Sequence, residues 1–207
     1  MAKRLLPYTQ QNPYDVIVGY ALDDTYINNS PAATGFGDEG VLVTISAANL
    51  DLDPVSFSAD SYLGKTSYNG VGWNQRPSIT RKIKPAVSGD VPFGFTQMET
   101  ALYDENGEYI SRYKQKAIEC NLVTKGHDVP VLAKGQLHLS VLAIDGVLTV
   151  GQGIKPSTTS GKVTGCTASD SQRFGVVLGT GSRGMNNRGT YADGWSGIHA
   201  IVKFDCK

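Results

Sequence analysis

Residues 134–150 read KGQLHLSVLAIDGVLTV. Leu137, Leu139 and Val141 alternate with Gln136, His138 and Ser140, a period of two that gathers one apolar row on one face of an extended chain. Asp145-Gly146 then supplies a tight turn into Val147-Leu148-Thr149-Val150, so the stretch predicts a β-hairpin. The C-terminus repeats the alternation: Ile198, Ala200, Val202 and Phe204 fall on one face, His199, Ile201, Lys203 and Asp205 on the other. Phe174 to Leu178 reads as a buried-type strand.

Working outward, further short strands emerge. Val41 to Ile45 follows a Gly37-Asp38-Glu39-Gly40 turn. Ile79, Arg81 and Ile83 alternate with Thr80, Lys82 and Lys84, and the basic cluster Arg81, Lys82, Lys84 reads as a solvated strand face. Phe93 to Met98 follows the punctuation of Pro85, Gly89 and Pro92. Asp104-Glu105-Asn106-Gly107-Glu108, between Ala101-Leu102-Tyr103 and Tyr109-Ile110, predicts a second hairpin, with Asn106-Gly107 providing the positive φ angles of a primed turn. Only residues 113–120 predict a helical turn or two. The expected fold is all-β, a barrel-like or sandwich domain over residues 39–207.

Composition agrees. The 207 residues include 24 Gly, 10 Tyr and 9 Pro, a mix that favours strands and turns over helices. Nineteen basic and nineteen acidic residues cancel, so the surplus of Lys and Arg that drives phosphate binding is missing, and nucleic acid is not the expected partner. Near-zero net charge also removes self-repulsion and permits association with other proteins. After Met1-Ala2-Lys3-Arg4 the apolar stretch is only Leu5-Leu6 before Pro7, which does not read as a secretory signal, and no stretch approaches membrane-spanning length. Synthesis in a cytoplasm is expected, with Cys120, Cys166 and Cys206 as reduced thiols. Without secretion the acceptor match Asn28-Asn29-Ser30 carries no meaning.

Residues 1–38 read as an irregular N-terminal arm, interrupted by Pro7, Pro13 and Pro31 and turned at Asp23-Asp24 and Asn28-Asn29. Tyr8, Tyr14, Tyr20 and Tyr26 recur every six residues. Either these rings cover the chain's own domain, or they lie on a neighbouring subunit. On the second view, deleting residues 1–26 leaves a folded domain that attaches less well.

Site chemistry is sparse. Gly179-Thr180-Gly181-Ser182-Arg183-Gly184 matches G-x-G-x-x-G after a strand, but Met185-Asn186-Asn187-Arg188-Gly189-Thr190 is a poor helix start, and a dinucleotide site needs that helix. Residues 179–195 therefore read as a Gly-rich surface loop. His127, His138 and His199 are scattered and read as strand or loop residues, not as ligands. Asp104, Asn106 and Glu108 resemble part of a calcium loop without its bidentate Glu. Asp51 and Asp53 could pair as acid and base, but nothing marks them beyond a turn at Asp53-Pro54. No catalytic, cofactor-binding or metal residues are assigned.

Several motifs in one order carry a family resemblance. The opening AKRLLPYTQQNPYDVIVGYAL followed by GDEGVLVTISAANLD, then SGDVPFGFTQMETALYDENGEYI, then QKAIECNLVTKGHDVPVLAKGQLHLS, resemble tailed-bacteriophage head decoration (capsid cement) proteins. The last third, with GKVTG, RFGVVLGTGSRG and HAIVKF, resembles them more loosely. The resemblance implies a non-enzymatic virion protein on the capsid surface, with the major capsid protein as partner and a homo-oligomer, a trimer favoured. It implies no catalytic residue and no cofactor. Tyr8, Tyr14, Tyr20, Tyr26, Arg183, Arg188 and Trp195 are the expected partner contacts. The alternative is a carbohydrate-binding β-sandwich module of a phage fibre or adhesin, in which Trp73 and Trp195 would stack on sugar rings.

Overall fold

Val41, Leu42 and Val43 are all fully buried, although neighbours on a strand point to opposite faces. The strand carrying them must be covered on both sides, and the architecture follows from what covers it. The computed structural model describes residues 4–10, 12–30, 35–48, 81–104, 106–110, 117, 121–183 and 197–206. In chain order the strands are β1 (Leu5–Gln10), β2 (Val16–Ile17), β3 (Ala21–Leu22), β4 (Leu42–Ala48), β5 (Arg81–Pro85), β6 (Gly94–Thr96), β7 (Glu99–Thr100), β8 (Leu122–Val123), β9 (Val131–Leu132), β10 (Lys134–Leu139), β11 (Gly153–Pro156), β12 (Val163–Cys166), β13 (Gly175–Arg183) and β14 (Gly197–Asp205). Two 3-10 turns, Pro13–Asp15 and Asp24–Tyr26, complete the elements. The helical turn expected at 113–120 lies outside the described residues except for Ala117, which is helical and buried. Among the described residues no helix is long and apolar enough to cross a membrane.

Two six-stranded sheets form, in the orders β1-β10-β14-β13-β11-β12 and β2-β9-β6-β4-β5-β3, with a small parallel pair β7-β8 beside them. The larger core cluster joins Leu42, Phe95 and Leu132 of the second sheet to Leu137, Leu139, Val177, Val202 and Phe204 of the first. The sheets thus pack face to face as a sandwich, and neither closes into a barrel. Phe95 sits at the centre, its ring 4.8 Å from Phe204 and 6.3 Å from Phe174. Val41, Val43, Ile83, Val129 and Val131 point the other way, into a second cluster capped by Tyr20, Tyr26 and Phe93. The second sheet is therefore covered on both faces at its centre, which is why Val41, Leu42 and Val43, and Val131 with Leu132, read as short continuous apolar runs.

The C-terminal alternation is realised from Ala200 onward: Ala200, Val202 and Phe204 are buried and Lys203 is exposed, while Ile198, His199, Ile201 and Asp205 are half-buried. Three other expectations are corrected. The hairpin expected at 137–150 does not form, because β10 is flanked by β1 and β14 and has no free edge to offer. Val147 and Val150 are exposed, and Leu148 alone of that run enters the core. The Gly-rich segment is not a loop from residue 179: β13 runs to Arg183, pairing Thr180 with Ala200 and Gly181 with His199. The 101–110 hairpin does form, through the Tyr103–Tyr109 bridge, but around a wider loop than a primed turn. Asp104 Oδ1 accepts the N–H groups of Asn106 and Glu108 at 2.9 and 2.7 Å. Among the described residues of the loop Gly107 alone takes a positive φ, at 80°, as in a three-residue loop with a bulge.

Residues 4–30 are irregular, as their prolines predict, but they are not a detached arm. β1 forms one edge of the first sheet, and β2 and β3 form opposite edges of the second. Ala21 pairs with Lys82 on β5 and also bridges Asp128 ahead of β9, so one short piece of chain links β5 to the segment that leads into β9. The segment is held at its root by a buried polar hub. Arg4 Nε donates to Asp38 Oδ2 at 3.3 Å, and its Nη1 reaches the Leu142 carbonyl at 2.6 Å. Asn28 Nδ2 donates to Asp38 Oδ1 at 2.6 Å, while Asn28 Oδ1 accepts the Gly37 N–H at 3.0 Å. A Cβ on Gly37 would lie 2.4 Å from the Thr100 carbonyl oxygen, so the hub closes only around glycine.

Deleting residues 1–26 removes three edge strands together with buried Arg4, Ala21 and Leu22. The truncated chain is expected to lack a cooperative thermal transition, contrary to the detached-arm expectation. Arg4→Ala strands the Asp38 carboxylate and is expected to cost about 3–5 kcal/mol in urea unfolding. A loss under about 1 kcal/mol, as for an exposed pair, would contradict the hub's role.

Candidate interaction surface

The N-terminal segment presents apolar side chains where it leaves the sandwich. Asn12 caps the first 3-10 turn by accepting the Tyr14 N–H at 3.1 Å, and Pro13 presets the turn's backbone. This geometry turns the Tyr14 ring outward, 94 % exposed. In β2, Val16 packs on the main core, so Ile17 faces out, and Val18 beyond it is 62 % exposed. Tyr14, Ile17 and Val18 therefore line one open edge of the second sheet, joining exposed apolar area to a tyrosine hydroxyl.

The other expected contacts do not gather there. Tyr20 packs on Phe93 with ring centroids 4.9 Å apart, and Tyr26 meets Phe36 edge-on at 5.7 Å. Both belong to the chain's own second core cluster. Tyr8 lies in β1 and Arg183 ends β13, but their side chains are outside the described residues. Arg188, Trp73 and Trp195 lie wholly outside them, as do Asp51, Asp53 and Cys120.

One juxtaposition escaped the sequence reading. His138 on β10 and His199 on β14 meet on the outer face of the first sheet, with Nε2 of His138 2.8 Å from Nδ1 of His199 and the rings 4.9 Å apart. Their register explains it: His138 pairs with Ile201, which puts His199 on the adjacent diagonal. A Cβ on Gly181 would lie 2.5 Å from the His199 ring, so the imidazole lies over that glycine. No set of three or more metal-ligating side chains gathers among the described residues.

A groove of about 780 Å³ opens at the end of the sandwich, lined by Asp90, Val91, Lys134, Arg173, Phe174 and Lys203 among others. Lys134 is tied to Asp205 at 3.1 Å, and Arg173 spends two N–H groups on the Gly175 and Ala168 carbonyls. Cations and carboxylates are interleaved on the walls, so no strong field selects a charged ligand. Cys166 and Cys206 are free thiols. Burial, with the Asp205 charge adding to it, pushes the Cys206 thiol up to about 12. Burial also raises Cys166. Compared with protein families, curated proteins and solved structures, the chain matches none.

Gly181→Ala is expected to displace the His199 ring and break the imidazole pair while leaving the sandwich intact. Nitrogen-15 NMR of the imidazoles reads this out; spectra identical to wild type would show that the close approach is not binding. Cys206 holds its proton at pH 8, so native protein should leave it unmodified by a thiol reagent, whereas denatured protein without reductant should yield all three thiols. Rapid native modification of Cys206 would contradict its burial.

Proposed function

We propose that this chain is a virion structural protein that attaches to the outside of a tailed-phage capsid and stabilises it, with the major capsid protein as partner. The observation that carries the reading is the exposed Tyr14–Ile17–Val18 edge on a well-packed sandwich. It stands beside the motif resemblance and the balanced charge. Tyrosine is enriched where protein surfaces meet, because its ring removes much area from water while its hydroxyl still finds a partner. A protein that binds only the assembled shell stabilises that shell by mass action. An open sheet edge flanked by apolar side chains also suits contact with a second copy, and the proposal includes self-association into a trimer.

The test adds purified protein to undecorated capsids. Bound protein and a higher rupture temperature are expected, and light scattering separates monomer from trimer. Each buried side chain of this size contributes about 1.5–3 kcal/mol, so Tyr14→Ser with Val18→Ser should weaken attachment by at least about tenfold without changing the protein's own melting temperature. Capsids that carry no protein and rupture at the bare temperature would sink the reading. Full attachment by the double variant would move the contact away from this edge.

A further inference from the structure

The imidazoles of His138 and His199 face each other nitrogen to nitrogen, Nε2 to Nδ1 at 2.8 Å. Two nitrogen lone pairs at that distance repel unless a positive centre stands between them, either a proton on one ring or a metal ion held by both. The rings are held on rigid elements. β10 is hydrogen-bonded between β1 and β14, and β14 between β10 and β13, so both stand on interior strands of a six-stranded sheet. His138 lies opposite Ile201 with His199 on the diagonal, a separation that long or aromatic side chains bridge. His138 is buried and His199 half-buried. On the other side of β14, Gly181 of β13 is paired with His199. A Cβ there would lie 2.5 Å from Cε1 and 2.6 Å from Nε2 of His199. The glycine thus makes room for that edge of the ring, while Nδ1 meets His138.

We propose that His138 Nε2 and His199 Nδ1 form a two-imidazole site for a divalent transition-metal ion, copper(II) foremost, which clips β10 to β14 on the outer face of the first sheet. Imidazole nitrogen is a good ligand for copper, nickel and zinc, and copper(II) stands highest in affinity among them. With metal–nitrogen bonds of about 2.0–2.1 Å, nitrogens 2.8 Å apart set an angle of about 84–89° at the metal. That is the cis angle of a tetragonal site, the geometry of copper(II) and nickel(II). Tetrahedral zinc needs the same two nitrogens about 3.3–3.4 Å apart, and the paired strands hold them closer. On binding, the proton between the two nitrogens moves to the other nitrogen of its own ring. Each imidazole stays neutral, and both facing lone pairs go to the metal. Water fills the positions that two protein ligands leave open. The site stands on the first sheet and the attachment edge on the second, so neither reading depends on the other.

Titration of copper(II) into the untagged full chain, followed by electron paramagnetic resonance, tests this. Wild type should take up an ion coupled to two imidazole nitrogens, and should hold zinc at least about tenfold more weakly. His199→Ala should lose that ion. His127→Ala, changed in the exposed turn between β8 and β9, should keep it. Gly181→Ala retains both histidines but displaces one ring, so it should weaken copper by about 10–100-fold with the sandwich intact. If His199→Ala does not fold, Gly181→Ala decides by itself. Equal uptake by wild type and His199→Ala would show an adventitious ion only and overturn the proposal. Unaltered affinity in Gly181→Ala, or a preference for zinc, would overturn it as well.

Discussion

Arg4 and Asp38 form the contact on which the rest of the structure depends. The pair is buried, with side-chain exposures of 7 % and 11 %, and such a pair is costly to desolvate unless its remaining groups are satisfied. Here they are. The guanidinium also reaches the Leu142 and Gly35 carbonyls, and Asp38 accepts from Asn28 and from the Gly35 N–H. The contact therefore ties three distant parts of the chain: the root of β1, the turn leading into β4, and the corner after β10. Each belongs to a different part of the sandwich, so the relative placement of the two sheets is set where their apolar cores leave it undetermined. Hydrophobic burial is non-directional, and a buried network of this kind supplies the direction.

The parts of this fold legible in the sequence are those governed by local period. β14 could be read because from Ala200 to Phe204 one face is buried and the other less so, and the end of β10 because its apolar and polar residues alternate, although both of its faces are buried. The turn at Gly37–Gly40 was visible as a turn, but Asp38 gave no sign of being a buried hub, since its partners lie 34 and 10 residues away. The failed hairpin at 137–150 shows the limit most clearly. Asp145-Gly146 is good turn chemistry, yet whether a neighbouring strand pairs depends on which edges are already taken, and β1 and β14 come from the two ends of the chain. The histidine pair failed for the same reason: a separation of 61 residues is invisible to any motif. Of the expected contact tyrosines, even spacing could not distinguish Tyr14, thrown outward by a capped turn, from Tyr20 and Tyr26, which face the core.

Open sheets carry edges that invite unwanted pairing, and this protein manages them with its irregular N-terminal segment. Pro7 sits within β1, where a missing N–H blunts an edge without breaking an interior ladder. At the far side of the first sheet, β12 is only four residues long, and Val163 is already occupied by Ala143 and Asp145. Against these guarded edges, the apolar residues beside β2 are a local exception, which is why the attachment surface is sought there.

The wiring of the first sheet also governs when the molecule can exist during its own synthesis. β1 is made before its partner β10, which follows more than a hundred residues later, and β14, on which β10 leans, comes later still. Until β14 has been synthesised the main core lacks Val202 and Phe204, and until β10 has been synthesised the β1 strand lacks its partner. Long-range pairing of this sort is slow, because chain entropy must be surrendered before the contacts return anything. The nascent polypeptide therefore emerges with its apolar strands uncovered, and chaperones and concentration bear on how much of it reaches the native state once β14 is in place.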